Sequence, residues 1–190
     1  MKIVWITFFV LGIPLILWIG WGLYVIITTE RPSYDVKEKL SSQIEIRQYE
    51  EQHWISTSLE NDNTSFMELG SYIFGKNETG EKVAMTAPVI TDDKMTFILP
   101  EGVSPQNAPA PAGQRIDFTT VAPRTIATLQ FSGYTRPERV ANKEARLLDT
   151  LRKKGIETIG TPFLMRYNDP ATPPFLRRNE VAIEVVPTLP

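Results

Sequence analysis

Between Ile44 and Val186 the chain runs through one order of elements twice, and this repeat limits what it can fold into more than any other feature. Ile44-Glu45-Ile46-Arg47 alternates apolar and polar residues, the period of a half-buried strand, and Trp54 to Leu59 reads as a second strand. After the turn-rich Glu60 to Thr64, Ser65 and Glu68 have capping-box spacing, and Phe66, Leu69, Tyr72 and Ile73 share one helical face. Gly75 is the expected helix stop, and Lys82 to Ile90 and Met95 to Leu99 read as two more strands. Glu101 to Gln114, crowded with Pro, Ala and Gly, is a loop between halves. Strands at Ile116 to Val121 and Thr125 to Phe131 follow, then a helix that opens at Thr135 with Glu138 and runs to Lys154 before Gly155. Phe163 to Tyr167 and Glu180 to Val186 complete the second unit. Duplicated strand-strand-helix-strand-strand units predict an α+β fold, a distorted β-barrel flanked by two helices.

Ahead of this domain lies a segment without charge. From Ile3 to Ile27 there is no Asp, Glu, Lys or Arg, and roughly 25 residues at about 1.5 Å each span a hydrocarbon core of about 30 Å. The run is longer than the roughly 7–15 apolar residues of a cleaved secretory signal and lacks an Ala-x-Ala end. Trp5 near one end and Trp18, Trp21 and Tyr24 towards the other suit interfacial belts. Residues 1–29 therefore read as a transmembrane signal anchor, with the lipid bilayer as a partner through Ile3 to Ile27. The expected localisation is a single-pass membrane protein whose soluble domain faces away from the cytoplasm. Residues 30–43, with Pro32 and alternating charge, read as a polar tether, and 44–190 as one folded domain.

Composition removes most chemistry. There is no Cys, so disulfides, thiolate metal sites and thiol nucleophiles are excluded. The net charge of −2 comes without a basic face, and no nucleic-acid partner is expected. His53 is the sole histidine, which rules out triads and multi-imidazole metal sites. It follows Glu50-Glu51-Gln52 and is expected at a hairpin end, on the surface, rather than as a ligand. The adjacent carboxylates Glu50-Glu51 and Asp92-Asp93 point apart on an extended chain and read as solvated charge. Gly75 to Lys82 has the wrong spacing for a phosphate-binding loop, and no Gly-x-Ser-x-Gly elbow occurs. The inventory points away from an enzyme.

Four short motifs then stand in order: Tyr72-Ile73-Phe74-Gly75-Lys76-Asn77, Met85-Thr86-Ala87-Pro88-Val89, Phe131-Ser132-Gly133 and Arg177-Arg178-Asn179-Glu180. Together they resemble the SOUL haem-binding protein family over nearly everything from Ile44 to Val186. The resemblance implies the same duplicated barrel, and it implies tetrapyrrole binding with haem as the candidate cofactor. The pocket suggested for that family lies on the first helix and on the loop before the final strand. Phe66 and Gly70 stand where members place Met or small apolar residues, Asn63 and Ser71 where one branch places Arg and Lys, and Gln48 where some members carry a histidine. The last loop keeps Tyr167-Asn168, Pro170, Thr172-Pro173-Pro174 and Phe175-Leu176, with Asp169 and Ala171 where Pro and Trp are common. The stretch before Phe66 is about six residues shorter than usual, which implies a first helix shorter by more than one turn.

The implied contacts to a tetrapyrrole or other flat apolar ligand are Phe66, Gly70, Tyr167 and Phe175, with Arg177 near a propionate. No strong protein ligand to iron is expected, so the binding is expected to be weak. Arg177 and Arg178 are neighbours entering a strand and point to opposite faces, one towards a core carboxylate and the other towards the ligand. Met85 reads as core filling and Pro88 as a strand edge or bulge. The alternative to haem binding is a non-haem small-ligand or protein-interaction module on the same barrel.

Overall fold

The computed structural model describes residues 12–187. Helix α1 (Ile13–Thr28) leads to strands β1 (Tyr34–Lys39), β2 (Ile44–Tyr49) and β3 (Gln52–Ser58) and helix α2 (Asp62–Ile73). Strands β4 (Val89–Thr91), β5 (Lys94–Ile98), β6 (Asp117–Val121) and β7 (Arg124–Phe131) precede helix α3 (Pro137–Lys153). Strand β8 (Thr158–Arg166), a 3₁₀ turn at Pro174–Leu176 and strand β9 (Asn179–Val185) follow. All strands join one antiparallel sheet in the order β1-β2-β7-β9-β8-β4-β5-β3-β6.

The repeat is written into that order. One half reads β4-β5-β3-β6 and the other β8-β9-β7-β2, so each half has taken in the first strand of the other. The sheet curls far enough for Arg124 of β7 to lie 4.6 Å above the Trp54 ring of β3, although these strands are not neighbours. It does not close, because β1 and β6 end the order. The expected barrel is thus an open half-barrel.

Each helix covers one half. Leu147 and Leu151 of α3 pack on Ile44, Leu129, Val181 and Ile183, and Leu69, Tyr72 and Ile73 of α2 pack on Ile55, Met95 and Phe97. A third apolar cluster, including Tyr49, Ile126, Phe163 and Tyr167, joins the two. Helix α3 starts at Pro137, whose missing N–H is harmless in the first turn, carries Glu138 there, and ends with Arg152 and Lys153 in its last turn. Gly155 then takes φ +69°, a conformation that favours glycine.

Several expectations are corrected. Helix α2 begins at Asp62, because Asn61 Oδ1 accepts from Thr64 N at 2.9 Å, whereas Ser65 Oγ donates to Ser58 O at 3.0 Å instead of capping. The first helix therefore has 12 residues. Of the strand expected at Lys82 to Ile90, only Val89–Thr91 forms; a cis Ala87-Pro88 bond precedes it. The stretch 30–43, read as a tether, contains β1, paired to β2 in the register Tyr34↔Tyr49. Asp35, Lys37, Glu38 and Lys39 are the charges of an exposed edge strand rather than of a linker.

The membrane expectation is also overturned. Residues 3–11 of the expected span lie outside the described residues, and the remainder is α1, 16 residues or about 24 Å long against the roughly 30 Å required. No helix among the described residues is long and apolar enough to cross a membrane. Localisation as a single-pass membrane protein, with the bilayer as partner, is therefore withdrawn. One face of α1 is instead laid against the last loop of the domain. Gly22 is its buried residue, and a Cβ there would stand 2.7 Å from Pro173 Cδ. Trp18 Nε1 donates to Ala171 O. Its other face, including Trp21 and Ile27, is exposed. Beyond α1 the backbone is held by Ala87 N donating to Glu30 O at 2.9 Å.

At the centre of the sheet sits a charge. Glu180 of β9 is 0% exposed, and Arg47 of β2 reaches both its oxygens at 2.8 and 3.1 Å. Arg178 Nη2 lies 2.7 Å away and Tyr167 Oη donates at 2.8 Å. Burial pushes the Glu180 carboxyl up, but hydrogen bonding to Arg47 and the charges of Arg47 and Arg178 outweigh it, so the pKa ends below its ordinary 4.5. Glu180→Ala removes the buried carboxylate that both guanidiniums share, leaving Arg47 with Glu45 and Arg178 with the Tyr34 hydroxyl, and is expected to destabilise by about 3 kcal/mol in urea unfolding at pH 7. Because the folded-state pKa is depressed, this contribution is complete above about pH 4.5 and disappears as pH falls through the depressed value. The gap between wild type and Glu180→Ala should therefore narrow in acid; a gap that stays constant down to full acid unfolding would contradict this account.

Candidate functional site

Helix α2, the segment before β4, the end of β8 and the loop after it enclose a cavity of about 470 Å³, inside the range of about 300–1,000 Å³ typical of small-molecule sites. Phe66 of α2, Phe74 at its C-cap, Met85, Val89, Met95 and Tyr167 make it mainly apolar. Val25 and Thr29 at the end of α1 form a further part of the wall. The Phe66 ring sits edge-on to Phe97 at 5.4 Å, which fixes it from behind. Asp62, Asn63, Arg166, Asn168 and Asp169 supply the polar lining.

Tyr167 joins the cavity to the core. Its ring lines the cavity, and its hydroxyl is committed to Glu180. Arg178 lies 4.1 Å over the same ring. Burial, then the Glu180 charge, raises the Tyr167 phenol well above its ordinary pKa of 10.0, so it is neutral at pH 7.

The structure brings some of the expected residues together and separates others. Phe66 and Tyr167 line the cavity. Gly70 lies behind it, and a Cβ there would stand 3.8 Å from Phe66 and 3.9 Å from Phe74, an ordinary contact that does not demand glycine. Phe175 belongs to the 3₁₀ turn, is 61% exposed and is not part of the cavity lining. Arg177 braces the loop, donating from Nε to Thr172 O at 2.8 Å and from Nη2 to Pro170 O at 2.6 Å. The expected alternation of the two arginines holds, with Arg178 taking the core carboxylate, but Arg177 does not reach the cavity.

His53 lies within β3, not at a hairpin end, with Nδ1 3.1 Å from Thr120 Oγ1 and outside the cavity. Gln48 Oε1 accepts from Thr125 Oγ1. Among the described residues, no group of three or more His, Cys, Asp or Glu side chains could hold a metal ion. The thioethers of Met85 and Met95 are the soft donors on the wall, and neither is a strong iron ligand.

The sequence reading missed Phe74, Met85, Arg166 and Asn168 as lining residues. Phe66 and Gly70 came from the family resemblance; Phe74, at the C-cap of the same helix, stands four residues after Gly70, a spacing that could have added it. Arg166 ends β8 and Asn168 lies in the loop after it, and the run Arg166 to Pro170 lines the cavity residue after residue, so strand alternation gives no signal for either. Other motif residues brace the frame. Asn77 Nδ2 ties Tyr72 O at 3.1 Å to Glu81 O at 2.7 Å, and Asn179 Nδ2 donates to Gly133 O at 3.0 Å. A broader groove of about 800 Å³ runs past Leu148, Arg152 and Thr158, open to solvent and remote from every motif.

A profile described as SOUL heme-binding protein matches residues 29–184. Heme-binding protein 2 of Mus musculus is 28% identical over 147 residues, covering 66% of this chain and 71% of that protein. Its Homo sapiens counterpart is 29% identical over 146 residues with the same shares. Among solved structures, the C-terminal domain of EcmrR superposes with a TM-score of 0.56 at 15% identity, covering 77% of this chain and 98% of that one. A hydrolase from Listeria innocua gives 0.51 at 12% identity, covering 76% and 92%. These two likenesses extend to the fold alone.

The ordinary contact distances at Gly70 separate a packing role from a ligand-binding one. Gly70→Ala is expected to raise stability by about 0.5–1 kcal/mol through helix propensity and to leave the cavity open, as thermal unfolding and a crystal structure of the variant would register. Loss of stability would mean that Phe66 and Phe74 cannot yield at that point.

Proposed function

The chain belongs to the SOUL heme-binding protein family, and from that premise we propose that it binds a tetrapyrrole in the cavity between α2 and the loop after β8. The observation that carries this reading is the cavity itself, mainly apolar, of ligand-binding size, and built from the helix and loop that the family resemblance pointed to. A flat macrocycle would be held by Phe66, Phe74, Met85, Val89 and the ring of Tyr167. At about 25 cal/mol per Å² of apolar surface removed from water, such contact supports binding without an axial bond. When bound, haem would supply a redox-active iron.

The chain's own residues offer that iron little. Tyr167 is held neutral and turned to Glu180, and the two thioethers are weak donors. Retention therefore rests on ring contact, and a metal-free tetrapyrrole fits the same walls. We read the protein as a binding module rather than an enzyme, because the one imidazole lies outside the cavity.

Titration of the full chain with haemin tests the reading. A shifted, saturable Soret band is expected, with Phe66→Ala weakening binding about fivefold or more through loss of roughly 1 kcal/mol of ring contact. His53→Ala should leave the spectrum unchanged. A spectrum identical to free haemin would remove the proposal, and loss of the band in His53→Ala would place the ligand elsewhere.

A further inference from the structure

The polar groups at one end of the cavity are unequally satisfied. Asp169 is saturated, its Oδ1 accepting from Ala171 N at 2.7 Å and Thr172 N at 3.1 Å and its Oδ2 from Thr172 Oγ1 at 2.9 Å. Asp62 is paired with Arg166 Nη1 at 2.5 Å. Arg166 also donates from Nη2 to Thr91 Oγ1 at 2.8 Å, which leaves three of its five N–H groups. Asn168 Oδ1 accepts from Arg178 N at 2.7 Å, a bond that fixes which atom of the amide is nitrogen. Its Nδ2 is then a buried donor with no partner among the described residues. A buried unsatisfied N–H is costly unless something accepts from it.

Both acids are occupied, so the spare capacity of this end lies in donors, on Arg166 and Asn168. Both line the cavity, Arg166 as the last residue of β8 and Asn168 in the loop after it. The Asp62 side chain is 60% exposed, so its pair with Arg166 is screened by water and worth little. A second carboxylate could join Arg166 or displace Asp62 from it at small cost.

We propose that Arg166 and Asn168 form a carboxylate-binding subsite of the cavity, which selects flat apolar ligands bearing an acidic arm. For the ring this rests on the tetrapyrrole reading. The subsite itself rests on the unpartnered Asn168 amide and, in the wall of the same cavity, a guanidinium with N–H groups to spare. It moves the anion-binding role from Arg177, which is tied to loop carbonyls, to Arg166.

The test compares protoporphyrin IX with its dimethyl ester, followed by fluorescence on the full chain. Wild type should prefer the diacid, and Arg166→Gln should weaken the diacid about tenfold with little effect on the ester. Asn168→Asp keeps the acceptor for Arg178 N–H while replacing the free donor with a charged oxygen, and should act in the same sense. Asp62→Asn removes the competing carboxylate and should strengthen diacid binding severalfold, a gain that a merely structural role would not produce. Equal losses for acid and ester in Arg166→Gln, or equal affinities of wild type for both, would overturn the subsite and leave the tetrapyrrole reading standing. If neither porphyrin binds wild type, the tetrapyrrole reading falls. The subsite is then decided with 2-naphthoate: a shift of the Asn168 side-chain amide resonance with the acid and not with its methyl ester upholds it, and no shift ends it.

Discussion

The carboxylate of Glu180 is the point on which the sheet and the cavity both depend. It sits at the start of β9, beneath no solvent, and receives Arg47 from β2, Arg178 from just before its own strand and Tyr167 from just after β8. Taking a carboxylate and two guanidiniums out of water is costly, and the arrangement holds only because both carboxylate oxygens are satisfied in good geometry. The cations are themselves backed by rings, Arg47 at 4.4 Å from Tyr34 and Arg178 at 4.1 Å from Tyr167. One consequence is mechanical. The ring of Tyr167 enters the cavity wall already oriented, since its hydroxyl is anchored in the core. Another is topological, because Tyr34 brings the edge strand β1 into the network and gives the charged stretch before Ile44 a reason to be a strand.

Much of the frame was legible because its signals are local. The two-residue alternation at Ile44 to Arg47, the Gly155 stop and the long amphipathic run of α3 all depend on neighbours in sequence, and they fall where expected. Misreadings arose where a distant partner decides. Tyr34 to Lys39 has the composition of a linker, and only pairing with β2 makes it a strand. Ser65 and Glu68 have capping spacing, yet Thr57 holds Glu68 and Ser58 accepts from Ser65, so Asn61 caps instead. The uncharged amino-terminal run obeys a composition rule for bilayers, whereas its described part, α1, is too short to span one and rests one face on Pro173.

The site was legible in part, through the family resemblance rather than through periodicity. Phe66 and Tyr167, the ring contacts it implied on the first helix and at the last loop, both line the cavity. Phe175 and Arg177 belong to a Pro-rich loop, where side-chain direction follows turn geometry rather than a period, and both turn away. Arg166 escaped notice because a lone arginine at a strand end reads as surface charge. Its role depends on the hollow beside it, which no local pattern reports.

That hollow follows from a departure from the repeat. Strands β4 and β8 occupy equivalent places in the two halves, but β8 has nine residues and β4 has three. In the second half Leu147 and Leu151 of α3 are fully buried against Ile44, Leu129, Val181 and Ile183. In the first half the chain leaves the sheet before Val89, held instead by Thr86 donating to Ile98 O and by Ala87 donating to Glu30 O. Helix α2, with 12 residues against 17 in α3, cannot cover what the missing strand exposes. The cavity lies in the half with the shorter strand, and Met85, Thr86 and Ala87 of the motif before that strand form part of its wall.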